Sequence, residues 1–140
     1  MAAASVTELP SRGGEAEKIT INLGYVDLGH VDLLVREGFY SNRTDLIRTA
    51  IRNQLERHGE VITKAVARKT LDLGLRHFDR AMLEPLRDAG TQIDINVLGL
   101  ASIARDVSPA LARATIASIT VLGALHAAPD VKAALADRIR

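Results

Sequence analysis

Cysteine is missing from this chain altogether, and with it go disulfides, thiolate metal sites and cysteine nucleophiles. Tryptophan is absent too, and Phe39, Phe78, Tyr25 and Tyr40 are the only aromatics. A core must therefore be built from Leu, Ile, Val and Ala, which a hydrophobic content of 47% allows. Long apolar runs are also lacking. The longest, Ala117 to Ala128, is broken by Ser118, Thr120, Gly123 and His126 and falls short of the roughly 20 residues that cross a bilayer. Met1 to Gly14 has no basic segment leading into an apolar run, so it does not read as a secretory signal, and the expectation is a cytoplasmic protein with no membrane partner.

Catalytic sets are equally scarce. His30, His58, His77 and His126 are scattered, with no pair at metal-ligand spacing, and there is no P-loop, no G-x-G-x-x-G and no nucleophile-base set. The expectation is a protein that is not an enzyme and needs neither cofactor nor metal.

Charge is nearly balanced, with a net value of +1, so a polyanionic partner has to be argued from where the charges sit. From Arg43 to Lys69 the bases Arg43, Arg48, Arg52, Arg57, Lys64, Arg68 and Lys69 outnumber the acids Asp45, Glu56 and Glu60. The start of the chain, with Glu8, Glu15 and Glu17 against Arg12, is acidic instead.

At 140 residues the chain has room for one ordinary domain or two small ones. Residues 1 to 16, rich in Ala, Gly, Ser and Glu, lack any periodicity and read as a mobile leader. Lys18-Ile19-Thr20-Ile21-Asn22-Leu23 alternates polar and apolar side chains, the period of a strand with one buried face, and Gly24 ends it. A short helix is predicted from Val26 to Glu37, stopped by Gly38. A second starts after Asn42, whose side chain can cap it while Asp45 completes a capping-box-like pair, and ends near His58-Gly59.

One strand and two short helices cannot bury enough surface to fold alone, and a lone strand leaves its backbone groups unpaired. Two copies pairing their Lys18 to Leu23 strands antiparallel solve both problems. Ile19, Ile21 and Leu23, with Leu46, Ile47 and Ile51 of the second helix, then form the dimer core.

Residues 17 to 58 resemble the MetJ/Arc/CopG ribbon-helix-helix family. The resemblance rests on the alternating strand, on Glu37-Gly38-Phe39-Tyr40-Ser41-Asn42-Arg43-Thr44-Asp45, and on the helix Leu46-Ile47-Arg48-Thr49-Ala50-Ile51-Arg52. Gly24-Tyr25 departs from the family, many of whose members open the first helix with a proline and an acid. The resemblance implies an intertwined dimer that lays a two-stranded ribbon in the major groove of double-stranded DNA. Lys18, Thr20 and Asn22 occupy the family's base-reading positions, and their chemistry suits guanine, thymine and adenine edges. The resemblance also implies a phosphate clamp at the second helix, where free amides near Arg43 and Thr44, capped by Asn42, are joined by the side-chain donors of Arg43 and Thr44.

The second half repeats itself. Ile95-Asn96-Val97-Leu98-Gly99-Leu100, followed by Asp106 to Ala112, recurs as Ile119-Thr120-Val121-Leu122-Gly123-Ala124, followed by Asp130 to Ala136. Thr70 to Leu75 with a helix-like Asp79 to Asp88 is a weaker first copy. Such units stack into a short parallel-strand solenoid with open ends.

The expected fold class is therefore α+β: a ribbon-helix-helix at 17 to 58, a linker or helix extension at 59 to 68, and an α/β repeat domain of about three strand-helix units at 69 to 140. The expected function is a nucleoid-associated transcriptional repressor of sequence-specific type, dimeric through its ribbon and tetrameric or larger through residues 69 to 140. Two alternatives stay open, an antitoxin with a toxin-binding second half and a DNA-organising protein that polymerises through its repeats. Ligand sensing by the second half is weighed behind association, because the repeats carry no cluster of polar residues.

Overall fold

The computed structural model describes residues 16–140, so the expected leader, apart from Ala16, lies outside the described residues. The chain divides between Ala65 and Val66 into two compact units. The described residues hold six α-helices and one three-stranded sheet.

In the first unit, residues 18–23 belong to no helix and pair with no strand among the described residues. A strand needs a neighbour to supply its ladder, and the described residues of this unit contain no second strand to do so. Helix α1, Tyr25–Arg36, starts directly after Gly24, one residue earlier than predicted, and Leu28 N donates to Gly24 O at 3.0 Å. Its end is a Schellman motif: Gly38 takes φ +87°, Gly38 N donates to Val35 O (3.1 Å) and Phe39 N to Leu34 O (3.0 Å). Helix α2, Arg43–Arg57, is capped by Asn42, whose Oδ1 accepts from Asp45 N at 2.8 Å. Asp45 reaches back to Ser41 N (3.0 Å), one residue outside the cap. His58 closes α2, and α3, Gly59–Arg68, begins at once.

None of these three helices contains a buried residue. Leu28, Val31 and Val35 of α1 and Leu46 and Ile47 of α2 are half-buried, but Ile19, Ile21, Leu23 and Ile51 stay exposed. A single copy has too little chain to cover them.

The second unit differs. Strands β1 (Asp72–Phe78), β2 (Ile93–Ile103) and β3 (Ile116–His126) form a parallel sheet in the order β1-β2-β3. Helices α4 (Arg80–Asp88), α5 (Pro109–Thr115) and α6 (Pro129–Ala134) follow the three strands in turn. Leu83, Leu111 and Val131 from these helices pack with Ile95, Val97 and Ile119 of the sheet in one sealed core. Parallel strands bury their length under crossover helices, which is why β2 and β3 extend well beyond the six-residue segments read as strand. Helix α5 starts at Pro109 rather than near Asp106 because Ser108 Oγ caps Leu111 N at 3.1 Å. Asp106 instead accepts from Arg80 N at 3.2 Å.

Gly74, Gly99 and Gly123 lie in register across the sheet, each with positive φ. A Cβ on Gly99 would land on the Gly74 carbonyl oxygen, and one on Gly123 on the Gly99 carbonyl oxygen. At the far edge the chain end folds back over β3. Arg140 N donates to Ile119 O (2.8 Å), and Arg113 grips Asp137 through two bonds of 2.8 and 3.1 Å.

Candidate nucleic-acid interface

The polar residues expected to read bases, Lys18, Thr20 and Asn22, lie on the segment without a ladder and are all exposed. Their apolar alternates, Ile19 and Ile21, are 73% and 57% exposed, a surface that water penalises until another element covers it. Alternation of this kind leaves one side chain set for a solvent-facing partner and one for a core.

The second candidate element is the N-terminus of α2. Asn42 spends its side-chain oxygen on Asp45 N, and Leu46 N closes the first helical bond on Asn42 O (3.3 Å). The amides of Arg43 and Thr44 find no acceptor among the described residues, so they remain available to an anion. Ser41, Asn42, Thr44, Asp45, Arg48 and Arg52 line a depression of about 380 Å³ beside them.

Arg43 departs from expectation. Its guanidinium turns back to α1, where Nε meets Asp32 Oδ1 at 2.7 Å and the second nitrogen meets Oδ2 at 2.8 Å. The hydrogen bond from Arg43 holds the Asp32 carboxyl below its ordinary value, and the same bond raises Arg43. The side chain therefore locks α2 to α1, while its backbone amide stays free. Sequence reading missed Asp32 because the pair spans eleven positions and forms only once the two helices pack.

Two further cations were overlooked as site residues. Arg48 and Arg52 follow Thr44 at intervals of four, on the same face of α2, and neither has an acidic partner among the described residues. The i, i+4, i+8 spacing was the signal that could have found them.

His77 is exposed on β1, and its Nδ1 lies 2.7 Å from Ser102 Oγ on the neighbouring strand. No group of three His, Cys, Asp or Glu among the described residues is placed to hold a metal ion, and no helix there is long and apolar enough to cross a membrane.

No curated protein and no solved structure matches the chain. A family model does, over residues 14–132, which takes in the ribbon segment, both helices and nearly all of the sheet unit. With that match spanning most of its length, the chain belongs to the ribbon-helix-helix transcriptional regulator family.

Proposed function

We propose that the protein is a sequence-specific transcriptional repressor that binds double-stranded DNA as a dimer and acts by occupying its operator. The observation that carries this reading is the contrast between the two units. The second has a sealed core, whereas α1 to α3 bury nothing although Ile19, Ile21, Leu23 and Ile51 are apolar and exposed. A ribbon made from two Lys18 to Leu23 segments would cover those residues with Leu46 and Ile47 and turn Lys18, Thr20 and Asn22 toward the major groove.

A six-residue strand is about 20 Å long at roughly 3.3 Å per residue, a length that fits the groove. The Arg43 and Thr44 amides, left open because Asn42 caps Asp45 N, then face the phosphate backbone, with the Thr44 hydroxyl, Arg48 and Arg52 as side-chain donors. Repression by exclusion requires no catalytic group.

In this reading residues 69 to 140 join copies of the dimer. The buried core of that unit tells against the antitoxin alternative, whose partner-binding half would gain its order from the toxin. The bond from Arg140 to Ile119 tells against end-to-end polymerisation, since it occupies part of the edge a further strand would need.

Selection of genomic fragments by the purified full chain tests the proposal, followed by transcription from the selected promoters in vitro. A shared operator motif and reduced transcript support it. Capture of fragments without any common sequence would reject sequence-specific repression.

A further inference from the structure

The helices seal one face of the sheet and leave the other apolar. Register places Leu73, Leu98 and Leu122 in one row of that open face and Leu75, Leu100 and Ala124 in the next. Leu73, Leu75 and Leu122 are 74%, 64% and 51% exposed. Polar rows bound the leucines on both sides. At one end are Asn96 with Thr120 and then Asp94 with Ser118, whose Oγ donates to Asp94 at 2.6 Å. At the other are His77, Ser102 and His126.

We infer that this face is an interface with a second copy of the chain, which stacks sheet on sheet with its strands reversed and joins two ribbon dimers into a tetramer. The inference rests on the reading that residues 69 to 140 associate copies, and it names the surface, the partner and the direction.

Three observations select this occupant. A two-fold interface must be complementary to itself. Reversal about the glycine row exchanges position 73 with 75, 98 with 100, 122 with 124, 96 with 102 and 120 with 126, so Leu73 and Leu98 fall on leucines and Leu122 on Ala124, while Ser102 meets Asn96 and His126 meets Thr120. Stacking without reversal would instead lay Asp94 on Asp94, a repulsive match. Size agrees as well. Two eleven-residue strands and the seven-residue β1, at about 3.3 Å rise and about 4.8 Å spacing, offer about 450 Å² per copy. Two such faces reach about 900 Å², close to the roughly 1,000 Å² where specific interfaces begin. Finally, the edge of β3 is partly taken by Ile139 and Arg140, so a second copy finds less room to add a strand there than to lie on the face.

Analytical ultracentrifugation of the full chain decides the matter, using Leu73→Lys with Leu75→Lys and, separately, Leu73→Lys with Leu75→Glu. In the reversed stack residue 73 of one copy lies over residue 75 of the other. The wild type should sediment as a tetramer. The double-lysine variant should be a dimer with unchanged circular dichroism and a single-site DNA affinity within about twofold of wild type. The lysine-glutamate variant should regain the tetramer, because each new cation meets a new carboxylate. If the double-lysine protein loses its fold, Leu122→Gln replaces it and should move the tetramer-dimer midpoint at least tenfold higher in concentration. A wild type that is only a dimer overturns the association reading and this inference together. A tetramer that persists in folded double-lysine protein, or is unmoved by Leu122→Gln, keeps association but removes it from this face. Failure of the lysine-glutamate pair to restore what the double lysine abolishes rejects the reversed direction.

Discussion

Asp32 of α1 holds Arg43 of α2 by Nε and one terminal nitrogen of its guanidinium, at 2.7 and 2.8 Å, and so fixes the angle at which the free amides of α2 face outward. A cation already matched by a carboxylate releases no counterion from DNA. Arg43→Ala is therefore expected to weaken binding while leaving the salt slope unchanged, whereas Arg48→Ala should reduce it by about 0.9 per site and about 1.8 per dimer. Titration of one operator at several salt concentrations separates the two. A slope lost with Arg43 instead would show that its side chain leaves Asp32 for a phosphate.

The same pair carries a pH signature. The hydrogen bond from Arg43 lowers the Asp32 carboxyl in the folded chain. A depressed carboxyl contributes stability that is complete above its unfolded value, about 3.9, and is lost as pH falls through the lower folded value. Asp32→Asn should accordingly melt below wild type at pH 7, and the gap should close in acid below about pH 4. Thermal melts across that range check the sign. A gap that widens toward acid would exclude the ion pair as its source.

Legibility in the sequence followed the range of the interaction. The stop at Gly38 and the start at Asn42 were readable because caps are made by residues three or four apart. The alternation from Lys18 to Leu23 was equally plain, but among the described residues it has no partner strand, and in the proposed reading the other half of its ladder comes from a second copy. Asp32 and Arg43 were invisible as partners, since nothing local in either helix demands the other. In the second unit the repeated Leu-Gly motif pointed to stacked strands, whereas the ends of β2 and β3 depend on how far the α4 and α5 crossovers cover them. The open leucine face was hidden for a related reason. Buried parallel strands read as continuous apolar runs, so a face without its cover looks the same in sequence as a face with one.

The ribbon residues yield a second functional prediction. Lys18→Ala, Thr20→Ala and Asn22→Ala together should preserve the fold and the dimer and abolish discrimination between operator and unrelated DNA. Each base contact is worth roughly 1 to 3 kcal/mol. Competition binding reads the outcome, and a triple variant that retains its preference would take the strand out of the groove.

Dimerisation and folding of the first unit should be one event, because its apolar residues have no cover among the described residues of a single copy. Ile21→Asp would bury an unpaired carboxylate from each copy, at a cost of about 3 kcal/mol or more. That corresponds to at least about a hundredfold weaker pairing. Helical signal that falls on dilution, and falls at higher concentration for the variant, is the expected result. Signal independent of concentration would mean that the unit folds alone.

The glycine row makes the sharpest statement about the second unit, because its three members share a backbone conformation but not a neighbourhood. Gly74, on the outer strand, has open space where a Cβ would sit, although its φ is +116°. Gly74→Ala should therefore cost only the left-handed strain of an alanine, about 1 to 2 kcal/mol. Gly99 and Gly123 carry the same kind of φ, but at each a methyl would strike the carbonyl oxygen of the preceding glycine in the row. Relief requires moving two paired strands apart, so Gly99→Ala and Gly123→Ala should each lose clearly more, about 3 kcal/mol or above. The ordering, rather than any single value, is the test. Urea unfolding followed by circular dichroism should rank wild type, Gly74→Ala, then the other two, while affinity for a single DNA site stays unchanged because the proposed DNA-contacting residues lie outside this sheet. Equal losses at all three positions would assign the row to φ alone and show that the close approach of the strands imposes nothing.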